Sequence, residues 1–197
     1  MDLTGEYRIP ATRQDVWEAL NNPDILKQCI DGCHELSKDS DTQFSAKVTA
    51  KVGPVKAKFS GKVTLSELDP PNGYKISGEG EGGVAGFAKG GATVKLADDG
   101  ADTVLSYIAN AEVGGKLASV GSRLVEGVAK KQADDFFGKF SEILGGQAEK
   151  DVNQVSSAET QQEVEVKVET EQRGLSPALW GAGLIILVAA VLYIVVG

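Results

Sequence analysis

Two stretches of strict alternation, meeting at Gly53-Pro54, constrain this chain more than any other feature. In residues 42–51, Phe44, Ala46, Val48 and Ala50 alternate with Ser45, Lys47, Thr49 and Lys51. In residues 55–65, Val55, Ala57, Phe59, Gly61, Val63 and Leu65 alternate with Lys56, Lys58, Ser60, Lys62 and Thr64. A strand sends successive side chains to opposite faces, so a period of two sorts them into one apolar and one polar face. Gly-Pro between the runs reads as a turn. The pattern predicts an antiparallel pair with one face on a core and one in water.

The flanking sequence supplies the rest of one unit. Leu3–Ile9 reads as a first strand, ended by Pro10. Thr12 is placed to cap a helix through Leu20, with Val16, Trp17 and Leu20 on one side. Asn21-Asn-Pro breaks that helix, and Asp24–Cys29 reads as a second short one. After Asp69-Pro-Pro-Asn-Gly, a turn, the segments 74–81, 90–96 and 103–113 read as further strands. Gly114-Gly-Lys then opens a long amphipathic helix through about Leu144. Its expected apolar face carries Leu117, Val120, Leu124 and Val128, then Phe136, Phe140 and Leu144 or Ile143. The expected class is α+β: a curved antiparallel sheet wrapped around a long C-terminal helix, over residues 1–146.

The remaining quarter has a different composition. The chain of 197 residues carries 20 Lys and Arg against 28 Asp and Glu, a net charge of −8. Residues 147–176 hold seven acids and three bases, which is −4, and no aromatic residue. Such a segment cannot bury enough apolar surface to offset chain entropy, so it is expected to be a disordered acidic linker. From Gly174 to Gly197 there is no charge at all. Residues 177–197 are expected to form one C-terminal transmembrane helix. Its apolar run 178–196 would rise about 28 Å as a helix, near the thickness of a hydrocarbon core. Trp180 and Tyr193 sit near its ends, where amphipathic rings favour the headgroup level. Arg173 and Lys167 precede the span and no charge follows it. The expected location is therefore the cytoplasmic (inner) membrane, single-pass, with the N-terminal domain facing the cytoplasm. The acidic balance argues against a nucleic-acid partner.

Few residues suggest reaction chemistry. Asp15, Glu18 and Asp24 read as a solvated helix face. His34 is the one histidine, and no residue spacing supplies it with a catalytic partner. Cys29 and Cys33, with that histidine, fall short of a four-ligand zinc site, and no metal site is expected. They read as reduced, partly buried thiols, with a redox role the weaker reading. The glycine-rich run 78–92 lacks the Gly-Lys-Ser/Thr ending of a phosphate loop, and Glu79 and Glu81 would repel phosphate. Its small residues instead permit strand bending and close approach. Lys47, Lys51, Lys56, Lys58 and Lys62 fall on one strand face with no acid between Asp41 and Glu67. They mark either a solvated face or a docking patch for an acidic protein or anionic lipid.

Four segments carry a family resemblance. Cys29-Ile-Asp-Gly-Cys, the run 51–63 (KVGPVKAKFSGKV), the run 80–92 (GEGGVAGFAKGGA) and the run 113–124 (VGGKLASVGSRL) resemble the CoxG family, the G-subunit family of carbon monoxide dehydrogenase. The resemblance covers about residues 1–145. It implies the START-like, polyketide-cyclase-like (SRPBCC) helix-grip fold, in which sheet and helix enclose an apolar cavity. Where family members commonly show Pro before Gly-Cys of the early loop, this chain has Asp31, which is expected to loosen that loop.

The resemblance implies an accessory protein and not an enzyme. Its expected partner is a molybdenum-containing hydroxylase of the carbon monoxide dehydrogenase type, recruited to the cytoplasmic membrane. It implies no catalytic residue and no tightly bound cofactor, with a respiratory quinone as the ligand bound or delivered. Strand alternation and the helix face give the expected cavity lining: Phe59, Val63, Tyr74, Ile76, Phe87, Tyr107, Leu117, Val120 and Leu124. Gly83, Gly86, Gly90 and Gly91 are expected to shape the cavity mouth. The alternatives are a generic carrier of lipids or hydrophobic ligands, and a small-molecule enzyme. The latter would need polar groups such as Asn110 or Glu112 facing inward.

Overall fold

The computed structural model describes residues 1–158, with side chains through residue 146. The rest of the expected linker and the expected span at 177–197 lie outside the described residues. Among the described residues no helix is long and apolar enough to cross a membrane.

The alternating runs form a hairpin as their period requires. Strand β3 (Gln43–Val52) pairs with β4 (Val55–Asp69), with Phe44 opposite Val63, Val48 opposite Phe59 and Val52 opposite Val55. The two-residue turn needs a positive φ at its first position, and Gly53 supplies it at +56°. Strands β5 (Gly73–Glu81), β6 (Phe87–Asp99) and β7 (Asp102–Gly114) continue the meander. The first strand, β1 (Asp2–Ile9), closes on β7, with Leu3 opposite Ala109 and Ile9 opposite Thr103. The opposite edge is β2 (Cys33–Ser40), paired with β3. All seven strands are antiparallel in the order β1-β7-β6-β5-β4-β3-β2.

Two short helices carry the chain from one sheet edge to the other. Helix α1 (Arg13–Ala19) is capped by Thr12, whose hydroxyl accepts the Asp15 N–H at 3.3 Å. Helix α2 (Pro23–Cys29) is capped by Asn22, with Pro23 in its first turn where the missing N–H costs no bond. Arg13 ties α1 to the β4–β5 turn and to the end of β6: it donates to Asn72 at 2.7 Å and pairs with Asp98 at 2.9 Å.

Two elements depart from the sequence reading. Strand β2 was not expected, because Cys-His-Glu-Leu-Ser-Lys-Asp-Ser has no apolar alternation. It is an edge strand whose side chains are almost all exposed, so pairing with β3 and not burial defines it. The long helix does not begin at Gly114. That residue ends β7, and a turn containing a 3₁₀ segment (Ala118–Val120) intervenes before helix α3 (Ser122–Ala158). Gly115 and Gly121 take φ of +76° and +95° there, which a helix cannot contain. At its other end α3 continues to Ala158, past the expected boundary at 146.

The buried stripe of α3 is also rotated from the expected one. Val125, Ala129, Ala133, Phe136, Phe137, Phe140 and Leu144 are buried, while Leu124 is exposed and Val128 half-buried. Ala129 and Ala133 let the first half of the helix approach its neighbours closely. The second half wedges three phenylalanines into the core. Phe137 stacks on Tyr7 of β1 with ring centroids 3.9 Å apart, and Phe136 stacks on Phe140 at 5.8 Å. Helix α3 packs chiefly on α2 and β1, with smaller contacts to α1 and β3. The core therefore lies between the concave sheet face and the three helices.

Candidate functional site

The sheet brings most of the predicted lining together on its inner face. Phe59, Val63, Tyr74, Ile76 and Tyr107 are buried there, and Leu117 is buried beneath the β7–α3 connection. Val120 is half-buried in the 3₁₀ turn. Phe87 and Leu124 do not join them, each being 42% exposed. Phe87 starts β6 opposite Glu81, on the outward parity of the strand. Leu124 falls in the first turn of α3, against Gly53 at the tip of the β3–β4 hairpin. The four glycines also divide. Gly83 and Gly86 lie in the β5–β6 loop, but Gly90 and Gly91 sit within β6 opposite Gly78 and Ser77. That puts them on the strand, three to four residues in from the loop.

Trp17, Phe44, Tyr7 and the α3 phenylalanines complete the interior. Tyr7 was legible in the parity of Leu3 and Ile9, and Phe44 in the alternation itself. Trp17 reaches Tyr74 edge-on, with centroids 5.3 Å apart.

Three tyrosines give this interior its polarity. Tyr7 donates its hydroxyl to the Asp134 carboxylate at 2.7 Å. Burial first, and the neighbouring carboxylate second, raise the Tyr7 pKa far above the ordinary phenol value. Burial raises Tyr107 as well, and the bond it shares with Tyr7 partly opposes that. Tyr74 differs. Its hydroxyl is buried without a hydrogen-bond partner among the described residues, and burial alone holds its pKa well above the usual phenol range. A buried hydroxyl normally finds a partner, which sets Tyr74 apart from Tyr7 and Tyr107.

The outer face is built differently. Lys62, Glu79, Lys89 and Glu112 are successive cross-strand neighbours on β4, β5, β6 and β7, so charges alternate along one row. Lys89 and Glu112 close to 3.2 Å, and Lys47 pairs with Glu35 at 2.7 Å. The row floors a groove of about 720 Å³, with Asn110, Ser77 and Thr64 alongside. A second groove of about 540 Å³ adjoins it and shares Lys62 and Glu79. Asn110 and Glu112 thus face outward, so the arrangement that would favour an enzyme is not the one they make. Of the five predicted lysines, Lys47 and Lys62 sit beside acids. Lys51, Lys56 and Lys58 make no ion pair among the described residues.

The thiols are not activated. Cys29 ends α2 and Cys33 begins β2, and both are free. Burial pushes the Cys29 pKa up to about 12 and raises that of Cys33. Only the thiolate is nucleophilic, so neither is poised for reaction. His34 lies exposed, 2.7 Å from the Thr49 hydroxyl. Among the described residues no group of three His, Cys, Asp or Glu side chains is placed to hold a metal. Asp31 does not leave its loop loose, because its carboxylate pairs with Lys139 of α3. The loop backbone is also fixed, with Thr49 N–H donating to the Gly32 carbonyl at 2.9 Å.

Three connections converge at one end of the sheet. The Leu117 N–H donates to the Ala85 carbonyl at 3.2 Å, joining the β7–α3 turn to the β5–β6 loop. Gly82 is packed under Phe59, where an added Cβ would lie 1.9 Å from the ring. Gly53, at the tip of the β3–β4 hairpin, faces Leu124. Phe59, Ala85 and Leu117 are the buried side chains at this end.

A seven-stranded antiparallel sheet gripping one long C-terminal helix over an apolar interior defines the helix-grip class. Comparison with known proteins places the chain within that class. The CoxG family model, which describes the G-subunit of carbon monoxide dehydrogenase, matches residues 5–145, and the chain belongs to that family. A crystal structure of a conserved protein from Geobacillus kaustophilus is 33% identical, with a TM-score of 0.70. The match covers 74% of this chain and 96% of that one. Proteins from Thermus thermophilus (14% identity, TM-score 0.55) and Mycobacterium smegmatis (13%, 0.56) share the fold. They cover 72% and 74% of this chain, and 95% and 92% of their own chains are covered. No curated protein matches the chain significantly.

Proposed function

We propose that this protein is a membrane-anchored accessory factor, not an enzyme. It recruits a molybdenum-containing hydroxylase of the carbon monoxide dehydrogenase type to the cytoplasmic membrane and binds or delivers a respiratory quinone. Membership of the CoxG family over residues 5–145 carries the reading, since the family name ties such domains to that dehydrogenase. The uncharged stretch 174–197 supports the anchor. Tethering raises the local concentration of a domain at the membrane without new contacts.

The interior supports a ligand with an apolar body and a carbonyl oxygen. Phe59, Val63, Ile76 and Leu117 supply apolar surface, and the unpartnered Tyr74 hydroxyl supplies one donor. Ligand pockets commonly combine apolar walls with a few placed polar groups. Access would require the β5–β6 loop and the β7–α3 turn to part at the Leu117–Ala85 bond. No tightly bound cofactor is needed for this role.

Removal of residues 174–197 tests the anchor. The dehydrogenase activity should move from the membrane to the soluble fraction, and unchanged fractionation would refute recruitment through this segment. Mass spectrometry of the protein purified under mild extraction tests the ligand. Absence of quinone, together with no binding of added quinone, would reduce the role to docking.

A further inference from the structure

The loop end of the domain has a surface unlike the rest. Three of the five large apolar side chains exposed among the described residues lie there: Val84 at 86%, and Phe87 and Leu124. Val84 projects from a 3₁₀ turn (Gly83–Ala85) with Gly82 and Gly86 on either side, so nothing shields it. The three lie at the same end of the sheet although they come from different elements. Leu124 meets the hairpin tip at Gly53, and Phe87 packs its ring beside Gly114.

The same end is basic on an acidic chain. Lys51 and Lys56 face each other across the hairpin turn, and Lys58 follows on the same side. Lys116 extends from the β7–α3 turn and Arg123 from the first turn of α3. All five are exposed, and none makes an ion pair among the described residues. Glu81, opposite Ser60 and Phe87, and Glu126, one turn into α3, are the neighbouring acids.

We propose that this end is a membrane-contact face: Val84, Phe87 and Leu124 enter the headgroup level of an anionic bilayer, with Lys51, Lys56 and Lys58 of the β3–β4 hairpin alongside. Exposed apolar side chains fringed with cations are the pattern of interfacial binding. The cations are mainly lysines. Protein interfaces are depleted in lysine and enriched in arginine, whereas attraction to anionic headgroups depends on charge and rises about fivefold per basic residue near the surface. That favours a lipid surface over an acidic protein. The contact lies at the same end as the Leu117–Ala85 bond, so it would set the proposed ligand access against the bilayer. The proposal rests on the membrane reading above only for the presence of a bilayer, and it is separate from the C-terminal anchor.

The full-length protein, mixed with phosphatidylcholine vesicles with or without phosphatidylglycerol, tests it by amide hydrogen exchange. Exchange over 82–87 and 115–121 should slow several-fold only when phosphatidylglycerol is present. That protection should vanish at high salt, in the K51E/K56E/K58E variant and in V84D, all changes at exposed side chains. Equal exchange on the two vesicle types, or protection that survives charge reversal, overturns the proposal. Flotation with neutral vesicles reports the C-terminal anchor separately, because insertion of an uncharged segment does not depend on lipid charge. If the protein does not float with neutral vesicles, the anchor reading fails, and flotation with anionic vesicles alone still decides the loop contact.

Discussion

Tyr74→Phe should stabilise the ligand-free protein, the reverse of what most core substitutions do. The residue is 3% exposed, and its hydroxyl lies in the interior without a partner among the described residues. Leaving such a group unsatisfied costs about 1–3 kcal/mol of desolvation. Phenylalanine keeps the ring and its edge-on contact with Trp17 and creates almost no void. A gain of about 2 kcal/mol is therefore expected, or a rise in Tm on the order of 5 °C for a domain of this size. Urea unfolding of the full-length protein in detergent, after ligand stripping, measures it with an unchanged m-value.

The pH dependence gives a second readout. Tyr74 has a folded pKa above its unfolded value of about 10. Below about pH 10 both states hold the proton, and the stability that comes from keeping the phenol neutral is complete. Above it the unfolded state loses the proton first, so stability falls as pH rises, by about 1.4 kcal/mol per unit for each such group. Y74F should remove one group's share of this alkaline loss, leaving that of Tyr7 and Tyr107, which are shifted in the same direction. A variant destabilised by more than about 1 kcal/mol would show that the hydroxyl bonds a buried water or ligand. That would refute the reasoning, including Tyr74 as a free donor.

Other outcomes follow from the packing. Phe137→Ala removes a fully buried ring that stacks on Tyr7, and should cost about 3–5 kcal/mol in equilibrium unfolding, against near zero for the exposed Leu124→Ala. Gly82→Ala drives a methyl into the Phe59 ring and should cost about 1–3 kcal/mol, read by Tm; Gly83→Ala, with open space around its Cβ, should cost less despite its positive φ. Thr12→Ala removes the α1 cap and should lower stability by about 1 kcal/mol, with Thr12→Ser near wild type.

The legible parts of this protein are those where local physics is strong. Alternation at 43–65 is a direct record of one buried and one wet face, and the hairpin, its register and the outward lysines all follow from it. Thr12, Asn22 and Pro23 mark helix starts because capping is satisfied within three residues. Strand β2 was hidden for the opposite reason. It lies at the edge with few buried side chains, so only its bonds to β3 make it a strand. The apolar stripe of α3 was misplaced for a related reason. Leu124 and Val128 are apolar but face outward or half outward, while Ala129 and Ala133 are small and buried. Hydropathy records what a side chain is and cannot say which side of a helix has a neighbour.

The candidate site divides along the same line. Sequence by itself determined the class: segments of extended or amphipathic pattern, a hairpin with fixed faces, an uncharged tail and motifs that placed the chain in the CoxG family. These are local periodicities or contiguous motifs, readable without knowing what packs on what. Only the tertiary structure decided that Tyr74 has no hydrogen-bond partner among the described residues, that Asn110 and Glu112 face water, and that Leu124 meets the tip of a distant hairpin. Each depends on residues far apart in sequence whose proximity is set by strand order and by the rotation of α3. Burial and partnership are properties of an assembled surface, and a single chain position does not carry them.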